Sequence, residues 1–300
     1  MSTKIRAVLA TVTLVALLAL PFQAFGAKGT GLAATATTLT PLVGTGQLLA
    51  YQVGLQNTGK SAITQFRFDG SITGGATLHG ASTSPCSASD GGTGVTCELG
   101  NLASGAAVEL VLVFAAPATP ASASLSGAFR GDAKNGTPGA KQDTWPILDQ
   151  VVSVLQSTAD FFGTFQLETA AQSYIIGSGQ VTNVNVPAQA RAYGVSVGHS
   201  NAAIVCGATT ITGFGETVEL NVANGQTPVT VTITFASQPG LTPQMVKVVH
   251  QSGSLCHQPP PDCGANPGDC YDAYWTGSGP NRRVEVTIQA PHNGSFKGFL

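Results

Sequence analysis

Residues 229–235 read Val-Thr-Val-Thr-Ile-Thr-Phe, an unbroken alternation of apolar and hydroxyl-bearing side chains. A period of two puts Val229, Val231, Ile233 and Phe235 on one face of a β-strand and Thr230, Thr232 and Thr234 on the other. Most of these residues are β-branched, which suits a pleated, half-buried surface and disfavours a helix. The pattern repeats outward from here. Upstream, Tyr193, Val195 and Val197 alternate, as do Val218, Leu220 and Val222, and Asn224-Gly225 supplies a hairpin turn before the next run. Downstream lie Val246, Val248 and His250, then Val284, Val286 and Ile288.

The N-terminal half follows the same rule. Tyr51, Val53 and Leu55 alternate with Gln52, Gly54 and Gln56, and Asn57-Thr58-Gly59-Lys60 forms a turn. Ala62, Thr64, Phe66 and Phe68 are expected on one side, with Gln65, Arg67 and Asp69 opposite. Val95, Cys97 and Leu99 form a further run. Val108, Leu110, Leu112 and Phe114 follow the turn at Ser104-Gly105, and Ala121 to Arg130 can supply a closing strand. Short strands at this spacing, joined by Gly- and Asn-bearing turns, predict β-sandwiches. One stretch is ambiguous: Ile147, Leu148, Val151, Val152 and Leu155 lie at near-helical spacing, and a strand-bearing connector is preferred there over a short helix.

Composition narrows the function classes. Only 9% of the 300 residues are charged, and Gly alone numbers 37. The N-terminus has the build of an export signal. Lys4 and Arg6 precede an apolar run from Ala7 to Leu20, Pro21 breaks it, and Ala24-Phe25-Gly26 places small residues where a signal peptidase needs them. Cleavage is expected after Gly26, because cleavage after Ala27 would put Phe25 at the critical third position. Without Lys4 and Arg6 the 13 basic residues fall to 11 against 15 acidic ones, a net charge of −4. No basic patch exists, so nucleic acid and anionic membranes are not expected partners. No second apolar segment is long enough to span a bilayer.

All six cysteines follow the signal, and an even count in an exported chain reads as disulfides. Cys86 and Cys97 lie close together and far from the rest, and are expected to pair. Cys206, Cys256, Cys263 and Cys270 allow three connectivities. Cys256, His257, Cys263 and Cys270 also suggest a zinc site, but the spacing is wide for one ion and export favours oxidation.

The run YQVGLQNTGKSAITQFRFDG, then GATLHGASTSPCS, then GVTCELGNLASGAAVELVLVF resembles the bacterial surface repeat family called domain of unknown function eleven. The matching positions are Asn57-Thr58-Gly59, Asp69, Cys86, Cys97 and Leu99-Gly100-Asn101-Leu102 through Gly105, within residues 33–130. The resemblance implies an Ig-like sandwich in exported and cell-surface proteins, with no established catalytic residues and a structural or adhesive role. This chain departs from the family in holding one clear copy. It also lacks the usual Leu-Pro-x-Gly after Phe68, where Gly74-Gly75 stands in for the turn.

The expected architecture is therefore all-β: a signal peptide over 1–26, an Ig-like β-sandwich over 27–131, a connector over 132–180 and a second, disulfide-bearing β-sandwich over 181–300. Two constellations bear on chemistry. Gly194-Val195-Ser196-Val197-Gly198 matches the nucleophile-elbow spacing of serine hydrolases, with Asp272 and His292 later in the chain. No parallel α/β pattern surrounds it, and Val195 and Val197 alternate as in a strand, so a hydrolase using Ser196 is the least favoured reading. Tyr271, Tyr274 and Trp275 form the densest aromatic cluster and are expected on a loop, where they fill the sandwich edge above the disulfides or, as the less favoured reading, stack on sugar or hold a protein contact. The histidines at 79, 199, 250, 257 and 292 suggest no metal triad, and Asp262, Asp269 and Asp272 are expected to make turns. The expected function is a secreted or cell-surface (periplasmic, if the source has an outer membrane), non-catalytic structural or adhesion protein. It needs no cofactor, and its extracellular partner is a glycan or a protein.

Overall fold

The computed structural model describes residues 32–82, 86–133, 142–177, 180–212, 214–223, 229–234, 240–252, 254–265, 270–290 and 294–299. The signal segment, Asn224-Gly225, Phe235, Asp269 and His292 lie outside them. Among the described residues the only helical pieces are three short 3-10 turns, so no helix is long and apolar enough to cross a membrane.

The first sandwich contains β1 (Leu32–Thr38), β2 (Leu42–Gly44), β3 (Leu48–Asn57), β4 (Ile63–Ile72), β5 (Thr77–Ala81) and β6 (Cys86–Ser89). It continues through β7 (Gly94–Leu102), β8 (Ala107–Ala115), β9 (Ala121–Asp132), β10 (Asp143–Pro146) and β11 (Gln150–Leu155). One sheet has the order β1-β3-β8-β5. The other runs β2-β11-β9-β4-β7-β6, with β10 also on β9. β2 pairs with β11 in parallel, and the remaining ladders are antiparallel. Tyr51, Phe66, Phe68, Phe114 and Phe129 fill the space between the sheets. The Phe66 and Phe129 rings stack at 5.5 Å, and the Tyr51 hydroxyl donates to the Ala123 carbonyl across the core at 2.9 Å. That bond lets the one polar atom of a buried aromatic stay satisfied.

Two readings of the first half change. The alternation in β4 slips by one residue: Ile63 and Phe66 are both buried, Ala62 is exposed, and Gln65 takes a φ of 49°. The ladder shifts register on both sides of β4 at this point, so a β-bulge re-aims Phe66 inward. The near-helical stretch 145–155 is extended. Trp145 pairs with Phe129, and Val152 and Val154 enter the core from β11. Gly74 and Gly75, with φ of 75° and 77°, make the turn between β4 and β5.

The second sandwich begins at β12 (Phe161–Gln166), followed by β13 (Gln172–Ile176), β14 (Val181–Val186), β15 (Tyr193–Ser200), β16 (Ile204–Cys206) and β17 (Thr209–Ile211). Then come β18 (Phe214–Ala223), β19 (Val229–Thr234), β20 (Lys247–Ser252), β21 (Leu255–His257), β22 (Cys270–Thr276), β23 (Arg283–Ala290) and β24 (Gly294–Phe299). A six-stranded sheet, β12-β15-β18-β24-β20-β21, faces a five-stranded one, β13-β14-β19-β23-β22. Val184, Val195, Val197, Val231, Ile233, Val286, Ile288 and Phe296 form its core.

The two sandwiches share a small apolar seam. Phe165 of β12 packs with Leu39, Ala50 and Val113, all buried, and the Leu48 amide donates to Thr164 Oγ1 at 3.4 Å. Gly194 marks a close approach of the two backbones, since a β-carbon there would collide with the Leu39 carbonyl. β15 is consequently buried on both faces, Gly194 and Ser196 included. The joint between the sandwiches is short: Thr45 binds Leu155 through its amide and Ser157 through its side chain.

Candidate functional site

Register in the five-stranded sheet decides which side chains share its outer face. Reading across β13, β14, β19, β23 and β22, one row is Ser173, Asn185, Thr230 and Gln289. The next is Ile175, Asn183, Thr232, Thr287 and Asp272, and a third is Val181, Thr234, Glu285 and Tyr274. Strand neighbours stand about 4.8 Å apart and same-face residues about 6.8 Å along each strand, so the rows form a grid of hydroxyls and amides. None of these three rows holds a Lys or Arg; Arg283, paired with Thr276, continues the face one row further. The side chains of Thr230 and Thr232 make no hydrogen bond among the described residues. Asn183 Oδ1, though shielded from solvent, accepts none either. Ser173 Oγ donates to Asn185 Oδ1 at 2.6 Å, and Thr234 Oγ1 donates to Glu285 Oε2 at 3.4 Å.

The aromatic cluster lies at the edge of this grid, on a strand where a loop is expected above. Within β22 the side chains alternate, which splits the three aromatics. Tyr271 points into the core and donates its hydroxyl to the Val246 carbonyl at 3.0 Å. Tyr274 is on the outer face, 43% exposed, with its hydroxyl against Glu285 and 3.2 Å from Thr287 Oγ1. The Glu285 carboxylate beside it pushes the Tyr274 phenol above its ordinary range. Trp275 shares the inward side with Tyr271 but sits near the strand end, 36% exposed, under the Arg282 guanidinium at 4.0 Å. The three rings form no common platform; Tyr274 alone belongs to the outer face. Asp272 is also in β22, where its Oδ1 accepts from the Cys263 amide at 3.1 Å.

The cysteines form three disulfides, Cys86–Cys97, Cys206–Cys256 and Cys263–Cys270, so none is available to zinc. Cys206–Cys256 ties the β16–β17 hairpin to β21. The hairpin lies against the six-stranded sheet, with Ile204 buried and the Val205 carbonyl accepting from Gln251 Nε2 at 3.0 Å. Beneath the adjoining segment Lys297 is almost fully buried. Its Nζ donates to Thr217 Oγ1 at 3.1 Å, and burial lowers its pKa.

Ser196 sits mid-strand in β15, opposite Gly163 on one side and Asn221 on the other. It is on no strand-to-helix turn, which is what exposes the hydroxyl in a nucleophile elbow. A different polar chain lies inside the second sandwich, with no signal in the sequence spacing. Thr182 Oγ1 is 2.7 Å from His199 Nε2, and His199 Nδ1 is 2.9 Å from Glu216 Oε2. The order hydroxyl, imidazole, carboxylate is that of a hydrolytic triad. However, Thr182 is fully buried and the His199 side chain is 1% exposed. The His199–Glu216 contact is a close approach in which neither atom has an aligned hydrogen-bond partner. Of the other histidines, His250 and His257 are cross-strand neighbours with ring centroids 4.9 Å apart, and His250 stacks on Phe296 at 4.3 Å.

No family model matches this chain, and no curated protein matches it. Solved structures with some likeness include the seventh ScaB type I cohesin of Pseudobacteroides cellulosolvens, at 10% identity over 42% of this chain and 94% of that one, with a TM-score of 0.30. PapD-like domain 7 of human CEP192 is 12% identical over 48% of this chain and 97% of that one, with a TM-score of 0.26. A DUF4466 family protein from Parabacteroides merdae is 7% identical over 87% of this chain and 99% of that one, with a TM-score of 0.28. Likenesses at this level carry no functional argument.

Proposed function

We propose that this chain is an exported, non-catalytic adhesion-type protein whose second sandwich binds a neutral glycan on the outer face of its five-stranded sheet. The observation that carries the reading is the grid of register-matched Thr, Asn and Gln side chains spanning three strands, with Tyr274 at its rim. A hydroxyl-rich polymer offers donors and acceptors at short, regular intervals and an apolar ring face that stacks on an aromatic. Asp272 and Glu285 repel phosphate, which disfavours nucleic acid. The face also lacks the apolar centre of a typical protein interface. Three disulfides and the signal-like N-terminus support a site outside the cytoplasm. The resemblance of residues 33–130 to an exported surface repeat supports the same placement. The strand setting of Ser196 and the sealing of Thr182 and His199 support a non-catalytic role.

The test is a glycan array probed with the oxidised protein lacking residues 1–26, beside Tyr274→Ala and Thr232→Arg variants. Retention on neutral polysaccharide, weakened about tenfold or more by each variant with unchanged circular dichroism, is the expected result. Retention that neither variant alters, or none on any glycan, refutes the reading.

A further inference from the structure

Where the seam between the sandwiches ends, a cleft of about 540 Å³ opens, lined by both. That volume lies within the range of small-molecule sites. Its floor is apolar: Val111 and Val113 project from the outer face of β8, and Phe165 and Leu167 approach from β12 and the residues just after it. Leu167 is 49% exposed, so apolar surface is open to solvent here. Two opposite charges sit at the rim. Glu109 is already engaged by the Gln52 amide across the β3–β8 ladder. Arg191 is exposed and makes no ion pair or hydrogen bond among the described residues. The cleft therefore offers an apolar trough with the Arg191 guanidinium at its mouth, and the His79 imidazole also lines it. The alternative occupant, a polypeptide strand added to the free edge of β5, meets a poor template. β5 has only five residues, and its ladder with β8 is broken between Leu78 and Gly80, a device that blunts sheet edges.

We infer that this cleft binds an amphipathic carboxylate, its aliphatic chain along Val111, Val113, Phe165 and Leu167 and its carboxylate paired with the Arg191 guanidinium. Apolar burial supplies most of the affinity, and the ion pair sets which end of the ligand reaches the rim. Glu109 disfavours a cationic head group. The site shares no residue with the glycan face, so the two readings stand or fall separately.

Isothermal titration calorimetry of the oxidised protein with dodecanoate, below its micelle concentration, tests the inference, with dodecyltrimethylammonium as the charge-reversed probe. One dodecanoate per chain is expected, with the cationic probe at least tenfold weaker. Arg191→Gln, at an exposed position, is expected to remove about a tenfold preference for the anion. Val111→Phe, which fills the trough, is expected to abolish binding of both probes. Absence of dodecanoate binding, equal affinity for both probes, or an Arg191→Gln variant that binds as wild type overturns the inference. So does sedimentation showing that a second copy of the chain occupies the cleft.

Discussion

At the scale of single residues, His199 carries the clearest pH signature. Burial holds its pKa below the ordinary 6.5, outweighing the Glu216 and Asp160 carboxylates nearby. The unfolded chain takes up a proton near pH 6.5 while the folded imidazole stays neutral. Its contribution to stability is thus complete above that pH and declines as pH drops through the interval down to the folded value. Glu219, raised by burial, acts in the opposite sense at lower pH, so the informative measurement is a comparison. Melting temperatures of wild type and His199→Gln between pH 7 and 5 should diverge, with the wild type losing more; parallel curves would exclude His199 as the cause. Asn57 shows how much a residue pattern can reveal without the reason for it. Its Nδ2 is shared among the carbonyls of Ser61, Leu102 and Ala103 at 3.0 to 3.1 Å, and its Oδ1 accepts from the Gly59 amide. Two of the motifs behind the surface-repeat resemblance, Asn-Thr-Gly and the Leu-containing turn up to Gly105, are therefore one hydrogen-bonded clasp. Their spacing reflects folding, and it points to no ligand.

At the scale of elements, period-two alternation marked fewer than half of the 24 strands among the described residues, including the long ones that build both cores, because one face of each is buried and the other is not. It missed where a local irregularity or a neighbour changed the rule. The bulge at Gln65 reversed the parity of β4, and β15 is covered on both faces. β22 hid behind the Pro- and Gly-rich cysteine segment before it. The polar face was partly legible: Thr230, Thr232 and Thr234 read as outward positions, whereas Asn183, Asn185 and Thr287 were not picked out. The order β14-β19-β23 that sets them side by side comes from long-range pairing and leaves no local trace. Disulfide connectivity was equally hidden for the last four cysteines. The chain-entropy argument ranks the bridges by span. Cys206–Cys256 joins positions 50 residues apart, against 7 for Cys263–Cys270. Replacing the first pair by serine is expected to cost about 4 kcal/mol and the second about 2.5 kcal/mol in urea unfolding. Loss of the first should also make the 204–211 hairpin an early site of proteolysis; equal losses, or a hairpin that stays protected, would contradict this.

At the scale of the whole molecule, the seam around Phe165 governs how the sandwiches sit together. Phe165 is 1% exposed, wedged against Leu39, Ala50 and Val113, and the glycine at 194 allows the backbones to touch. Putting a carboxylate there, as Phe165→Asp, buries an unpaired charge in an apolar contact. The expected outcome is a single calorimetric transition that splits in two, with a larger radius of gyration in solution scattering. An unchanged scattering profile would mean that other contacts hold the pair. None of this was visible in the sequence, because Ala50 and Val113 read as solvent-side positions of ordinary strands.

The parallel contact of β2 with β11 has a mechanical corollary. Leu42, Val43 and Gly44 run alongside Ser153, Val154 and Leu155 in the same direction, near the entrance and exit of the first sandwich. Pulling the chain apart at its two ends slides these segments past one another, so their rungs must rupture together instead of unzipping singly. Once β1 has parted from β3, tension is thus met by a short shear joint, and the strands between β2 and β11 stay unloaded until it yields.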